Sequence, residues 1–220
     1  MGYCEFQIPF FIEGVKVQTV EMSKGTEYHE EAERIERESS VAVPLTRVQL
    51  EDTGADLDFM REDIQTLFEK EFDISGGKVR LYLFGRADKV VRRQETLIIS
   101  DDKHTSNLGR YGIMSEPYFS QMLQVLAYLN SRYYLGESFG GWSEIPHVRK
   151  KYEINIVDSG TKSVYKRFEG IVTGGQVDLF LDAASSFALK CLSLQGLVHH
   201  NSEKKCKACG YFGTCSHALR

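Results

Sequence analysis

Four segments of the chain have patterns that predict helices. An exposed helix rich in Glu and Arg is predicted over residues 22–39, and apolar residues at three- and four-residue intervals predict a second helix over 56–70. A third helix is predicted over 117–134, where Ser115 is a suitable cap and Pro117 suits the first turn. A fourth is predicted over 176–198, with apolar residues on most of its sides.

The segments between these helices alternate between apolar and polar positions and are rich in β-formers. Strands are predicted over 78–84, 87–91, 96–100, 152–157 and 164–172. Helices and strands follow one another, which predicts an α/β fold with a central mixed β-sheet flanked by helices. A chain of 220 residues is enough for one such unit, so residues 1–220 are expected to form a single domain.

The composition is that of a folded protein in water, since 42% of the residues are hydrophobic and 26% are charged. No apolar stretch is long enough to span a bilayer, and residues 1–8 lack the features of a signal peptide. A cytoplasmic protein without a membrane partner is therefore expected. The formal net charge of −4 offers no overall positive field for nucleic-acid binding, and it does not exclude such a partner.

Carboxylates and a lysine are expected to meet at one end of the sheet. Asp88 lies on one predicted strand, and Asp101, Asp102 and Lys103 follow the next. If these strands are antiparallel neighbours, Asp88 and Asp101 converge, and a divalent cation between them offsets their repulsion. Oxygen ligands favour Mg²⁺ or Mn²⁺, and Lys103, two residues after Asp101, faces the same side of the strand. This set is the minimum for hydrolysing a phosphodiester.

Two predicted helices carry further polar residues. Gly25 and His29 are four residues apart and share a helix face, so the neutral imidazole could be an additional metal ligand. Gln124 lies on a largely apolar helix with Tyr128 one turn later on the same face. A buried Gln needs a hydrogen-bond partner, and the lysine or a substrate phosphate would provide one.

In this order, His29, Gly85-x-x-Asp88, Asp101-x-Lys103 and Gln124-x-x-x-Tyr128 resemble the RecB-like branch of the PD-(D/E)XK nucleases. The resemblance covers most of the chain and implies a restriction-endonuclease-like core. It implies that His29, Asp88 and Asp101 hold the metal together with the backbone carbonyl of Asp102. It further implies that Lys103 is catalytic and that Gln124 and Tyr128 belong to the motif that follows it. Many relatives carry Glu where Asp101 stands.

Three of the five cysteines lie close together near the end of the chain, as Cys206-x-x-Cys209 followed by Cys215. Such clustering in a cytoplasmic protein indicates metal or cluster ligation. Three ligands are one short of a complete set, and several residues could supply the fourth: Cys4, Cys191, His199, His200 and His217. Spacing alone favours zinc with a histidine.

The nuclease resemblance changes this interpretation. RecB-like nucleases of the CRISPR adaptation and exonuclease V types carry an iron–sulfur cluster on one N-terminal and three C-terminal cysteines, and Tyr3-Cys4-Glu5-x-Gln7 resembles their entry segment. The resemblance implies that Cys4, Cys206, Cys209 and Cys215 bind the cluster. Four thiolates serve either [4Fe–4S] or [2Fe–2S], and the first is favoured. Cys191 is expected to be a core cysteine.

The resemblance implies a Mg²⁺- or Mn²⁺-dependent deoxyribonuclease that acts on single-stranded DNA or overhanging ends, as an exonuclease with or without endonuclease action. The expected role is CRISPR spacer acquisition with an integrase partner, and the alternative is exonuclease V-like repair. Tyr28, Tyr111, Tyr118 and Trp142 are candidate stacking surfaces for bases. A rival from another class is a non-enzymatic, zinc-binding module that interacts with DNA or protein.

Overall fold

The computed structural model of the protein describes residues 4–15, 17, 19, 23, 26–28, 30, 31, 34, 57–60, 64–74, 77–93, 95–135, 138–142 and 148–219. The strands in it are β1 (Leu57–Met60), β2 (Gln65–Ile74), β3 (Gly77–Gly85), β4 (Lys89–Arg93), β5 (Thr96–Thr105), β6 (Arg132–Leu135), β7 (Ser138–Gly141), β8 (Arg149–Asp158) and β9 (Val164–Ile171). The helices are α1 (Ile8–Ile12), α2 (Leu108–Gly112), α3 (Phe119–Leu129), α4 (Gly174–Ser193) and α5 (Glu203–Lys207), and a 3₁₀ turn (Glu5–Gln7) precedes α1.

The strands form two sheets. The first has the order β1-β4-β5-β8-β9, in which β5 and β8 are parallel and the other neighbours are antiparallel. The second has the order β3-β2-β6-β7 and is antiparallel throughout. The chain passes through α2, α3, β6 and β7 between the parallel strands β5 and β8, as a parallel pair requires. The predicted α/β fold with a mixed sheet is confirmed, and the second sheet adds to it.

The helix predicted over 56–70 is wrong, because this region forms β1 and β2. β2 pairs with β3 from Thr66↔Gly85 to Ile74↔Gly77 and with β6 from Gln65 to Leu67. Phe68 and Phe72 are buried, and they pack under α4. Pairing with two neighbouring strands supplies backbone hydrogen bonds and burial that outweigh a helical spacing of apolar residues.

Helix α3 lies between two hydrophobic cores. Val125 and Leu129 pack with residues of the mixed sheet, whereas Leu123 and Leu126 pack with α4 and the antiparallel sheet. A helix that is apolar on most faces is expected at such a position, because two of its sides are covered. The helix carries Gln124 and Tyr128 between these layers, so their positions are determined by both cores.

Several predicted boundaries differ from the observed ones. α3 begins at Phe119 and not at Pro117, and the cap is Tyr118, whose backbone N–H donates to Gln121 Oε1 at 3.1 Å, so Ser115 is not the cap. The chain leaves the helix after Leu129 because β6 pairs with β2. α4 ends at Ser193, where Leu194 adopts a left-handed conformation with φ of 53°.

β5 continues to Thr105, well beyond the predicted end at Ser100. Its parallel pairing with β8 runs from Thr96↔Arg149 to Thr105↔Asp158, and this pairing keeps the chain extended. Asp101 and Lys103 therefore lie within a strand and not at its end. Their side chains are held by regular strand geometry.

The described residues of the segment predicted as an early helix, 23, 26–28, 30, 31 and 34, are helical. Gly25 and His29 lie outside the described residues. Among the helices that the structure describes, none is long and apolar enough to cross a membrane.

Candidate active site and metal centre

Asp101 and Lys103 form the centre of the candidate active site. Leu97 and Ile99 on the same face of β5 are fully buried against α3, and the face becomes polar at Asp101. Asp101 is only 1% exposed, and its Oδ2 lies 2.7 Å from Lys103 Nζ. The strand thus places a buried carboxylate and an ammonium group side by side.

Asp88 reaches the same place from the loop between β3 and β4. The described pairing of β4 with β5 ends at Lys89↔Ser100, and beyond this pair the backbone N–H of Asp102 donates to Asp88 Oδ2 at 2.8 Å. The N–H and the carbonyl of one residue leave an extended strand on the same side, so we expect the Asp102 carbonyl to face Asp88 as well. The structure therefore brings Asp88, Asp101 and Asp102 together at one strand edge.

Gln124 forms three hydrogen bonds, two to β5 and one within α3. Its Oε1 accepts from Lys103 Nζ at 2.9 Å, and its Nε2 donates to Asp101 Oδ1 at 3.2 Å and to the Tyr128 hydroxyl at 2.9 Å. One amide thus fixes the lysine, the carboxylate and the tyrosine relative to one another. Gln124 and Tyr128 lie beside Asp101 and Lys103 as their spacing on one helix face suggests.

Gly85 allows Tyr128 to approach the end of β3. A Cβ at this position would lie 2.6 Å from Tyr128 Cε1, which is closer than atoms can approach. The Gly85 carbonyl accepts a hydrogen bond from Thr66 Oγ1 at 3.0 Å, which holds the backbone in place. The close contact gives a physical reason for glycine in the Gly85-x-x-Asp88 pattern.

Replacing Gly85 with alanine is expected to displace the Tyr128 ring and to lower the free energy of unfolding by about 1–3 kcal/mol. Chemical denaturation measures this change, and Gly109→Ala is the matched control because its Cβ would meet nothing within 4 Å. In a Tyr128→Ala background the ring is absent, so Gly85→Ala should lower the free energy of unfolding much less. Equal costs in both backgrounds would show that the contact is unimportant.

Burial raises the pKa of Asp101 to about 6, while the neighbouring Lys103 opposes this change and Asp88 adds to it. A carboxylate that is costly to ionise in the folded chain is stabilised by a nearby cation. Carboxylate and carbonyl oxygens are the ligands that Mg²⁺ and Mn²⁺ prefer. Asp88, Asp101 and the Asp102 carbonyl therefore fit a divalent cation.

The pKa of Asp101 predicts a pH dependence of stability. The folded-state pKa of about 6 lies above the ordinary value of 3.8, so the folded chain binds this proton more tightly than the unfolded chain. Without divalent cations, ionised Asp101 lowers the free energy of unfolding above pH 6 by up to about 3 kcal/mol, and this cost disappears as the pH falls from 6 to 4. Urea denaturation at several pH values in EDTA should show this dependence in the wild type. In Asp101→Asn this contribution of up to about 3 kcal/mol to the pH dependence should be absent. Parallel curves of unfolding free energy against pH for the two proteins would refute the raised pKa of Asp101.

A second polar network supports Asp102 from β8. Asn155 Nδ2 donates to Asp102 Oδ1 at 2.8 Å and to Ser100 Oγ at 3.0 Å, and Asn155 Oδ1 accepts from Arg167 Nε at 2.8 Å. The sequence-based interpretation missed Asn155 and Arg167. The signal was the polar Asn155 within the otherwise apolar run 154–157, at the register position of Asp102.

Among the described residues of the early helix, Tyr28 contacts the strand that carries the site. Its ring stacks on His104 with a centroid distance of 5.3 Å, and Lys162 Nζ lies 3.5 Å from its centroid. His104 is the residue after Lys103, so this helix lies beside the end of β5. His29 follows Tyr28 but lies outside the described residues, so its place as a metal ligand stays a prediction.

A groove of about 850 Å³ runs beside Lys103, Gln124 and Tyr128. Phe11 and Phe84 line it and are 62% and 79% exposed. Of the aromatic residues proposed from the sequence as stacking surfaces, Tyr111 and Trp142 are buried in the core, so that prediction is wrong for them. Both lie inside the mixed-sheet core. The prediction failed because the sequence pattern does not distinguish aromatic residues in the core from those on the surface.

The two ends of the described chain meet around a small cavity. All four predicted cluster cysteines line it: Cys4, Cys206, Cys209 and Cys215. His199 and His200 line the same cavity. Cys191 lies half-buried on α4 and is not among the lining residues, and burial raises the pKa of its thiol.

Contacts other than the cysteines also attach the N-terminal segment to the tail. Phe10 stacks on Tyr211 with a centroid distance of 4.5 Å, and the Tyr211 hydroxyl donates to the Val15 carbonyl at 2.9 Å. Glu5 forms an ion pair with Lys190 and accepts the backbone N–H of Val198 at 2.7 Å. The cavity therefore lies between two segments that are already packed together.

The cavity has the donor set of a metal centre. Cys4, His199 and His200 have ligand atoms within 4.8 Å of one another, so they could hold a metal ion. Four sulfur atoms around one cavity also fit an iron–sulfur cluster, which takes four cysteine thiolates. Gln7 Nε2 donates to Cys209 Sγ at 3.3 Å, a contact that would stabilise the thiolate.

No protein-family model matches the chain, and no curated protein sequence matches it. Among solved structures, one titled "Crystal structure of SSO0001" is similar, with a TM-score of 0.44 and 16% sequence identity. The match covers 74% of this chain and 62% of that chain, so this protein spans less than two thirds of the length of that one.

Proposed function

We propose that this protein is a metal-dependent deoxyribonuclease of the RecB-like PD-(D/E)XK type. One observation carries the proposal: five polar side chains from one loop, one strand and one helix converge beside an open groove. They are Asp88, Asp101, Lys103, Gln124 and Tyr128. Neighbouring carboxylates with a lysine held beside them are the equipment that phosphodiester hydrolysis needs.

The cation would supply Lewis-acid polarisation of the phosphate and a lowered pKa of the attacking water. Asp88 and Asp101 would hold the cation. Lys103, whose side chain is 25% exposed, would place positive charge near the charge that develops on the phosphate. Gln124 accepts one Lys103 hydrogen bond and thereby orients the ammonium group, and Tyr128 in turn orients Gln124.

Single-stranded DNA or a DNA end with an overhang is the proposed substrate. The groove beside Lys103 has exposed aromatic side chains at Phe11 and Phe84, and aromatic faces stack on unpaired bases. Two roles use this chemistry in a cytoplasmic protein: trimming DNA for CRISPR spacer acquisition with an integrase, and exonuclease V-like repair. Neighbouring genes would separate the two roles.

An iron–sulfur cluster on Cys4, Cys206, Cys209 and Cys215 is proposed as the cofactor of the cavity. It would join two parts of the chain that are far apart in sequence, so its main role is structural. A second function rests on Cys4, His199 and His200, which could hold zinc in a non-enzymatic binding module. Stoichiometric zinc without iron or sulfide, in a protein that does not cleave DNA, would favour that module.

Cleavage of end-labelled single-stranded DNA tests the proposal. Anaerobically purified protein is expected to cut in Mn²⁺ or Mg²⁺ and not in EDTA, and Asp101→Ala is expected to reduce cutting by at least about 10²-fold. Asp73→Ala is the matched control, since the Asp73 side chain is 87% exposed on the other sheet. No cutting by cluster-loaded protein in any metal would refute the nuclease.

A further inference from the structure

Two histidines lie against one cysteine sulfur of the cavity. Cys206 Sγ is 3.4 Å from His199 Nε2 and 3.9 Å from His200 Nε2. The backbone N–H of Leu219 also donates to this sulfur, at 3.3 Å. Cys206 is buried, whereas the rings of His199 and His200 are partly exposed. The chemical role of the histidines depends on whether their Nε2 atoms carry a proton.

For His200, the hydrogen bond of the other ring nitrogen, Nδ1, determines which nitrogen carries the proton. Its Nδ1 accepts the backbone N–H of Ser202 at 3.0 Å, so Nδ1 carries no proton and the neutral ring has its proton on Nε2. An Nε2 that carries a proton has no lone pair for a metal and can only donate. His200 therefore points an N–H group at the Cys206 sulfur.

His199 has the same arrangement. Its Nδ1 accepts the backbone N–H of Asn201 at 3.0 Å. Asn201 Oδ1 lies 3.1 Å from the same nitrogen. Because the backbone N–H already occupies the single lone pair of Nδ1, a half-turn of the amide, which exchanges Oδ1 for Nδ2, removes the repulsion between two acceptors. The backbone donor thus places the proton of the neutral ring on Nε2, which faces Cys206.

We propose that His199 and His200 are not metal ligands but donate hydrogen bonds to the Cys206 sulfur and thereby raise the reduction potential of the bound iron–sulfur cluster. The inference rests on the cluster of the proposed function. An electron added to the cluster increases the negative charge on its sulfur ligands, and N–H donors aimed at a sulfur stabilise that charge. With Leu219, three donors would converge on one ligand.

Redox titration monitored by electron paramagnetic resonance tests the inference without DNA cleavage. Protein reconstituted anaerobically with iron and sulfide is compared with His199→Phe, His200→Phe and the double variant, since Phe keeps a ring and removes the donor. The potential is expected to shift to more negative values in each single variant and further in the double variant. Iron and sulfide per chain should stay unchanged.

His217→Phe is the matched control, because His217 is exposed, stacks on Phe6 and, among the described residues, makes no hydrogen bond to Cys206. Its potential should equal that of the wild type. An unchanged potential in the double variant would overturn the inference. So would loss of iron from the single variants, because a hydrogen-bond donor can be removed without loss of the cluster and a ligand cannot. Zinc in place of the cluster would also overturn it, because no cluster potential would then exist.

A spectroscopic measurement on the wild-type protein tests the inference independently of whether the variants fold. With histidine labelled by ¹⁵N, a hydrogen-bond donor gives a weak nitrogen coupling to the reduced cluster, whereas a ligand gives a strong one. Weak coupling is expected and strong coupling refutes the inference. A protein that assembles the cluster and fails to cut DNA would refute the nuclease and leave these results interpretable.

Discussion

Lys103→Ala is expected to reduce DNA cleavage by about 10²–10³-fold or more while leaving the fold and the iron content unchanged. Lys103 Nζ contacts Asp101 Oδ2 at 2.7 Å and Gln124 Oε1 at 2.9 Å, and its side chain lines the groove. A charge held in this way needs no reorganisation when a phosphate arrives. The variant removes this ammonium charge from the position beside the substrate phosphate.

Single-turnover cleavage with saturating enzyme measures the effect on the chemical step. Lys70→Ala is the matched control, because Lys70 is exposed on β2 in the other sheet and an overall charge effect would appear there equally. Mn²⁺ binding should be measured in parallel, since Asp101 loses its cationic neighbour and its pKa should rise further. Cleavage at the wild-type rate with normal Mn²⁺ binding would rule out Lys103 as catalytic.

Cys206→Ser is expected to abolish cluster binding and to lower the free energy of unfolding by about 3–5 kcal/mol. The cluster would close a loop from Cys4 to Cys206, which contains nearly the whole chain, and closing a long loop restricts the unfolded state most. The packing of Phe10 on Tyr211 and the Glu5–Lys190 ion pair do not depend on the thiolates, so the ends should stay partly docked.

Guanidinium denaturation under anaerobic conditions, with iron and sulfide analysis, measures this loss. Cys191→Ser is the matched control because Cys191 lies on α4 and is not among the residues lining the cavity, so its loss should leave the iron content unchanged. DNA cleavage should decline together with folding and not before it if the cluster is structural. Equal stability of Cys206→Ser and the wild type would contradict the role of the cluster in joining the chain ends.

Local patterns predicted the elements that carry the candidate site. The two-residue spacing of Asp101 and Lys103 places both on one face of a strand, and the four-residue spacing of Gln124 and Tyr128 places both on one face of a helix. These relations depend only on the geometry of a strand and a helix, and the observed hydrogen bonds among the four residues agree with them. The helical pattern over 56–70 failed because strand pairing is a long-range effect.

The sequence by itself determined the strand and the helix that carry the candidate site and the identity of the polar residues available for chemistry. Tertiary structure decided which of them meet: Asp88 reaches Asp102 because β4 pairs with β5 and ends at Lys89↔Ser100. It also decided that Asp101 is buried, because α3 covers β5, and that His199 and His200 face Cys206. Local spacing governs residues a few positions apart, whereas contacts between distant residues depend on how sheets and helices pack.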